Sequence, residues 1–278
     1  MIVSGKAWAV ISSARALLFV PGDRPERFSK ALASGADLVI IDLEDAVSSE
    51  NKSSAREALR DLNPGASGNV IVRINSVAST HFQQDVETCA AARVAGLMLP
   101  KAESASDLDA VSVLSGEMAV VPLVESAKGM VNLGEIASHR STARLAFGSI
   151  DYRIDFAIST DGVGLAAARS EIVLRSRFHN LPSPIEGVTP NFRDEQALEA
   201  DMRMAREFGF GGKLAIHPLQ VEPIQRGFRS TPDEIAWARK ILDAVEAAGG
   251  AVGSISVAGE MIDRPVVQRA KNIIDRTH

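Results

Sequence analysis

The sequence predicts an α/β fold, a (β/α)8 TIM barrel with a C-terminal helical extension. Three observations carry the prediction: eight short apolar runs recur along the chain, helical patterns separate them, and no Pro/Gly-rich linker or composition shift interrupts the alternation. A doubly wound open sheet is the alternative that such alternation leaves open.

The runs are Ala16–Val20, Leu38–Leu43, Val70–Ile74, Gly96–Leu99, Val120–Val124, Leu145–Phe147, a weaker one at Ile185–Val188, and Lys213–Ile216. They lack polar alternation, the mark of strands buried on both faces of a parallel sheet. Between them Phe28, Ala31 and Leu32 form one helical face, Ala105, Leu108, Val111 and Val113/Leu114 another, and Ile172 through Phe178 a third. Residues 1–13 read as a short N-terminal extension, 14–230 as the barrel, and 231–278 as a helical extension suited to oligomer contacts. That extension opens at Thr231-Pro232-Asp233-Glu234, an N-cap, a proline at the first helical position and a capping-box acid. Its helix continues through Ile235, Ala238, Ile241, Leu242 and Val245 to Gly249-Gly250, and a last helix begins near Pro265.

Composition narrows the function. The chain has 278 residues, 46% hydrophobic and 23% charged, with a net charge of −5 and no Lys/Arg cluster. A nucleic-acid footprint or a polybasic membrane patch is therefore not expected. The single cysteine, Cys89, forms no intrachain disulfide and suits a reducing compartment. No apolar run approaches the ~20 residues of a membrane span, and the N-terminus lacks a signal-peptide pattern. These features predict a cytoplasmic protein.

Polar and charged residues gather just after the strands, where barrel enzymes build their sites: Asp42, Glu44, Asp45, Arg73, Asn75, Lys101, Glu125, Asp151, Glu186 and His217. Glu125 ends the apolar run before it and Asp151 follows the next, so adjacent strands bring two carboxylates within reach of one hard cation such as Mg²⁺. Equally, each could cap a helix or pair with an arginine. Arg73 could grip a substrate carboxylate at two points or form a salt bridge to Glu44, and these roles are compatible. Asp42, Glu44 and Asp45 concentrate negative charge that Arg15, Arg73 or Lys101 must offset. His217 could be a general base, but a lone histidine before proline is more often a packed loop residue. No phosphate-binding loop, nucleophile elbow or zinc spacing is present.

A series of motifs then points to one family. Arg15-Ala-Leu-Leu-Phe-Val-Pro-Gly22, Ile41-Asp-Leu-Glu-Asp-Ala-Val47, Val72-Arg-Ile-Asn75, Leu99-Pro-Lys101, Val124-Glu-Ser-Ala-Lys-Gly129, Phe147-Gly-Ser-Ile-Asp151, Gly212-Lys-Leu-Ala-Ile-His-Pro218 and Met261-Ile-Asp-Arg-Pro-Val-Val267 resemble, in order, the citrate lyase beta subunit-like family. The resemblance implies a TIM barrel, commonly trimeric, that uses Mg²⁺ to cleave citryl, malyl or citramalyl thioesters reversibly. It implies Glu125 and Asp151 as metal ligands, Arg73 as the carboxylate-binding arginine, and Asp263 as an acid/base offered by a neighbouring subunit, unless Asp263 only caps the last helix. Arg15, Glu44, Glu125 and Arg24 join Arg73 as candidate substrate-binding residues, with Arg24 suited to the phosphates of a thioester carrier.

This chain departs from the family at Arg175–Pro182, at Tyr152 and Arg153, and at Ala258-Gly-Glu-Met261, which lacks the usual acid-glycine-lysine lead-in. The expected function is a Mg²⁺-dependent carbon–carbon lyase acting on a short 3-hydroxy-dicarboxylyl thioester of coenzyme A or an acyl carrier protein, releasing an acyl thioester and a 2-keto acid. The alternatives are a thioester-independent 2-keto acid aldolase, a malate-synthase-like hydrolysing enzyme, and a non-catalytic subunit of a lyase complex.

Overall fold

A computed structural model describes residues 5–62, 67–248, 255–257 and 260–275. Gly249-Gly250 and Ala258-Gly259, which figured in the sequence reading, lie outside them. Backbone contacts divide the chain into two units, Met1–Gln225 and Arg226–His278.

In the first unit eight parallel strands close into a barrel in chain order: β1 (Ala16–Pro21), β2 (Leu38–Asp42), β3 (Val70–Arg73), β4 (Gly96–Leu99), β5 (Ala119–Val124), β6 (Ala146–Phe147), β7 (Ile185–Glu186) and β8 (Gly212–Ala215). Strand β8 pairs with β1, so no sheet edge is left open and the doubly wound alternative is excluded. Alternate residues fill the interior: Leu17, Leu38 and Ile40, Ile71, Met98, Val121 and Leu123, Ala146, Ile185 and Leu214 belong to one buried cluster. Their neighbours Val39, Ile41 and Val72 are equally buried beneath the helices, which is why these strands read as continuous apolar runs. Helical faces follow the predicted pattern at Leu108 and Val111, whereas Val113 and Phe178 are exposed.

The N-terminal segment is more than an extension. Gly5–Ser13 is a helix whose Ala7 and Ile11 join the interior cluster at the strands' N-terminal ends. Arg144 fixes it: this fully buried guanidinium donates to the carbonyls of Ile11 (3.0 Å), Ala14 (2.6 Å) and Ser183 (2.6 Å). Burial pushes its pKa down to about 9, against the opposing charge of Asp37.

The second unit has its own small core. The helices Pro232–Ala247 and Arg264–Asp275 pack through Ala238, Ile241, Ala270 and Ile273, with Ile262 from a two-stranded antiparallel sheet, Ile255–Val257 and Glu260–Ile262. Thr231 and Glu234 form the reciprocal capping box that the sequence predicts. No helix among the described residues is long and apolar enough to cross a membrane.

Candidate active site

Strand parity builds the site. The inward row that includes Leu38 and Ile40 continues to Asp42, that of Ile71 to Arg73, and that of Val121 and Leu123 to Glu125. Three polar side chains thus top the apolar interior at the strands' C-terminal ends. Asp42 and Glu125 are almost wholly buried, at 1% and 4% exposure.

Arg73 is the hub. Its Nε and Nη2 donate to the two Asp42 carboxylate oxygens at 2.7 and 2.6 Å, and Nη1 lies 3.2 Å from Glu44 Oε2. Its guanidinium also sits 4.9 Å above the centre of the Phe19 ring. The bidentate pair and the neighbouring acids hold Arg73 permanently charged despite burial. Two of its five donors are committed to Asp42, so Nη1 and its end of the fork remain for an incoming carboxylate. The Asp42 carboxylate also accepts from the Glu44 and Ala46 amides at 2.9 and 3.0 Å, shaping the turn that presents Glu44. Burial raises the Glu44 pKa, although Arg73 and Lys101 oppose the shift, and its Oε2 has no hydrogen bond among the described residues.

Glu125 and Asp151 form the second half. Glu125 Oε1 accepts the Lys101 amide at 2.8 Å. Burial pushes its pKa up to about 8; the charges of Glu44 and Asp151 add to the rise, and the Lys101 amide and Arg73 oppose it. Asp151 lies in the first turn of the Ser149–Asp155 helix and has no hydrogen bond or ion pair with a described residue. Gly148 is required by this packing: a Cβ there would overlap the Glu125 carboxylate. Two carboxylates that repel each other, one buried with a single protein hydrogen bond and one with none, fit a hard divalent cation. No group of three or more His, Cys, Asp or Glu among the described residues is arranged for a metal. Mg²⁺ does not need one, because it takes one or two carboxylates and completes its six positions with water and substrate oxygens.

The HpcH/HpaI aldolase/citrate lyase family model matches residues 15–218, a span that includes the whole of this site. The chain belongs to this family. A citrate lyase subunit beta-like protein of Mycobacterium tuberculosis is 36% identical over 267 residues, 93% of this chain and 94% of the relative. A (3S)-malyl-CoA thioesterase of Cereibacter sphaeroides is 34% identical over 245 residues, 84% of each chain. Among solved structures, M. tuberculosis CitE in complex with magnesium, acetoacetate and coenzyme A matches with a TM-score of 0.83 and 32% identity, covering 96% of this chain and 98% of that one.

In this aldolase/citrate lyase barrel the other sequence candidates have different surroundings. Arg15 is corrected: it precedes β1, so a strand of six residues rising about 3.3 Å each separates it from the C-terminal face, and its amide is bound to Asp37. Glu186 has the outward parity of β7 and pairs with Arg169 of the Val163–Phe178 helix, Nε to Oε2 at 2.9 Å. His217 is a packed loop residue, stacked on Phe192 with 4.2 Å between ring centroids and accepting the Leu219 amide through Nδ1. Burial and the nearby cations Lys30 and Arg193 lower its pKa. Arg24 is exposed in the turn after β1, on the mouth side. Arg153 ties its own loop by donating to the Ser159 carbonyl at 2.9 Å, while Tyr152 is buried against Phe147 and Phe156. In the second unit Asp263 is exposed, and its Oδ1 accepts the Val266 amide at 3.0 Å, capping the last helix.

Sequence reasoning missed the layer that supports Glu44. The Lys52 ammonium donates to the Leu43 and Glu44 carbonyls, each at 2.6 Å, and to Asn75 Oδ1 at 2.9 Å. Asn75 is held in turn by Asp85, which Arg56 neutralises at 2.9 Å. A signal existed: Lys52, Ala55, Arg56 and Leu59 occupy the buried face of one helix, and charged residues on such a stripe need partners.

Proposed function

We propose that this protein is a Mg²⁺-dependent lyase that reversibly cleaves a short 3-hydroxy-dicarboxylyl thioester, of the citramalyl-CoA, malyl-CoA or citryl type, into an acyl thioester and a 2-keto acid. The observation that carries this reading is the juxtaposition at one barrel mouth of Arg73 with the under-coordinated carboxylates Glu125 and Asp151. Relatives named for citrate lyase and the CitE complex with magnesium, acetoacetate and coenzyme A support it.

In this reading Glu125 and Asp151 hold the metal, and Arg73 binds the carboxylate that ends up in the keto acid, with Glu44 and Asp42 fixing the guanidinium. When bound, Mg²⁺ supplies a Lewis acid that stabilises negative charge on the reacting oxygens. The substrate hydroxyl gives up its proton as its carbon becomes a carbonyl, the carbon–carbon bond breaks, and its electron pair passes to the thioester as an enolate, so that one proton is released at oxygen for each one taken up at carbon. A proton delivered to the enolate carbon completes cleavage, and the reverse step removes it from the acyl methyl group. Asp263 of a second copy, in a homo-oligomer of the trimeric kind the resemblance implies, is the proposed carrier of that proton. Its exposed carboxylate keeps Oδ2 outside the capping bond. The cations Arg24 and Arg193, on the loops after β1 and β7, and Lys30, in the short Phe28–Leu32 helix, are suited to the carrier's phosphates.

A hydrolytic second reading is favoured by the relative named as a malyl-CoA thioesterase. Purified protein with Mg²⁺, incubated with malyl-, citramalyl- and citryl-CoA, separates the two. Acyl-CoA and keto acid in equal amounts are expected; free CoA and an intact hydroxy acid would place the protein with the thioesterase.

A further inference from the structure

Four non-glycine residues among those described have positive φ: Arg93, Lys101, Ala157 and Asn180. Three of them follow helix ends, where a left-handed residue is the ordinary stop: Arg93 after Phe82–Ala92, Ala157 after Ser149–Asp155 and Asn180 after Val163–Phe178. Lys101 terminates no helix. It follows β4 and Pro100 directly, at φ 49°, in a conformation that glycine adopts without steric cost and lysine does not.

What the left-handed turn achieves is visible in its contacts. The Lys101 amide meets Glu125 Oε1 at 2.8 Å, one of the two carboxylate oxygens of the proposed metal ligand. The next amide, of Ala102, returns to the Leu123 carbonyl at 3.3 Å, so the turn is anchored to β5, the strand that leads directly into Glu125. The side chain runs the other way. The side chain is 52% exposed, its ammonium lies 3.4 Å from Glu44 Oε1, and the opposite oxygen of Glu44 faces Arg73 Nη1. One residue therefore touches both halves of the site, the metal carboxylate through its backbone and the substrate arginine through Glu44. A glycine would supply the first contact and not the second, which accounts for a lysine in glycine's conformation.

We propose that Lys101 is a positioning residue. Its backbone fixes the Glu125 carboxylate with Oε1 committed and Oε2 left for the metal, and its ammonium holds Glu44 through Oε1 so that Oε2 steadies the Arg73 guanidinium for a substrate carboxylate. The inference rests on the assignment of Glu125 as a Mg²⁺ ligand, which Glu125→Gln tests separately.

The two contacts are separated by three substitutions, read by calorimetric titration of the full-length protein with Mg²⁺ and then with pyruvate as a 2-keto acid probe. Lys101→Met removes the ammonium but keeps lysine's backbone preference, so Mg²⁺ affinity stays near that of the wild type while pyruvate affinity falls. Lys101→Val also lacks the ammonium and, being β-branched, resists the left-handed turn; its Mg²⁺ affinity falls about tenfold below that of Lys101→Met. Lys101→Gly adopts the turn freely and binds Mg²⁺ at least as well as Lys101→Met, which shows that any loss in the valine variant comes from backbone conformation. Equal Mg²⁺ affinities for the folded Val and Met variants overturn the backbone role, and undiminished pyruvate affinity in Lys101→Met overturns the ammonium role. A Glu125→Gln protein that binds Mg²⁺ like the wild type would instead remove the metal assignment beneath both.

Discussion

Two buried charge clusters lie in the same barrel and differ in one respect. Around β7 and β8, Arg169 is clasped by Glu186 at 2.9 Å and Asp161 at 2.8 Å, and Lys213 donates to the Gly187 carbonyl at 2.7 Å and lies 3.6 Å from Asp201. Thr189 closes that network by donating to Asp201 at 2.5 Å. At the mouth of β2, β3 and β5, Asp42 is satisfied, but Glu44 keeps an oxygen without a hydrogen bond, Glu125 has its pKa pushed up to about 8, and Asp151 lacks a polar partner among the described residues. Parity decides which cluster is which. Glu186 and Lys213 point out of the barrel into the helix layer, where complementary side chains meet them, whereas Asp42, Arg73 and Glu125 continue the inward rows to an end that only solvent, metal or substrate completes. Unbalanced buried charge, rather than buried charge as such, is what makes the mouth the candidate site.

Substitutions that cross between the clusters test this contrast most strongly. Glu125→Gln is expected to reduce turnover by about a thousandfold or more and to abolish measurable Mg²⁺ binding in calorimetry, with little loss of thermal stability. Arg169→Ala has the opposite signature: it leaves Glu186 and Asp161 without their cation, and breaking a buried pair in this way costs about 3–5 kcal/mol. Chemical denaturation should show that loss, while Mg²⁺ affinity measured on the folded fraction is retained. Comparable loss of Mg²⁺ binding in both variants would erase the distinction.

Asp263→Asn sharpens a second contrast, between capping and proton transfer. Asparagine caps helices as well as aspartate does, so the melting temperature should hold, whereas removal of the proton carrier should slow turnover by about a hundredfold. An unchanged rate would leave Asp263 with its capping role alone.

The same contrast should show in pH dependence. In the metal-free protein the folded pKa of Glu125, about 8, exceeds its ordinary value of 4.5, so the folded state binds the proton more tightly than the unfolded state. Its contribution to stability is therefore present at low pH and lost as pH rises from 4.5 through about 8, with a slope no steeper than ~1.4 kcal/mol per pH unit. Burial of Glu44 adds a trend of the same sign. Mg²⁺ must displace the Glu125 proton, so its affinity should rise by up to about tenfold per pH unit below 8 and level off above. Denaturation and Mg²⁺ titration across pH 5–9 check both trends, and Glu125→Gln should flatten them.

The barrel was legible because each strand is buried on both faces, which leaves an uninterrupted apolar run whatever its parity. Even two-residue β7 stood out at Ile185, though only weakly, since its neighbour Glu186 breaks the run. Glu125, Asp151 and Arg73 stood out in the sequence because each follows or ends an apolar strand, a place that suits a site and equally a cap or an ion pair. Direction was not legible in the same way: Arg15 and Glu186 flank strands just as Arg73 does, and only closure of the barrel fixes which end and which face each occupies. The Lys52, Asn75 and Asp85 support was hidden because its members lie far apart in sequence and meet only through side-chain hydrogen bonds. The left-handed turn at Lys101 had no signal either, since the residue type argues against it.

The most direct measurement is product analysis of malyl-CoA and citramalyl-CoA turnover by the purified protein, with Mg²⁺ and after its removal by EDTA. Equal amounts of acetyl-CoA and 2-keto acid, formed only with Mg²⁺, are the predicted result. Cleavage that survives EDTA, or release of free CoA with the hydroxy acid intact, would contradict the assignment of the mouth cluster as a metal-dependent carbon–carbon lyase site.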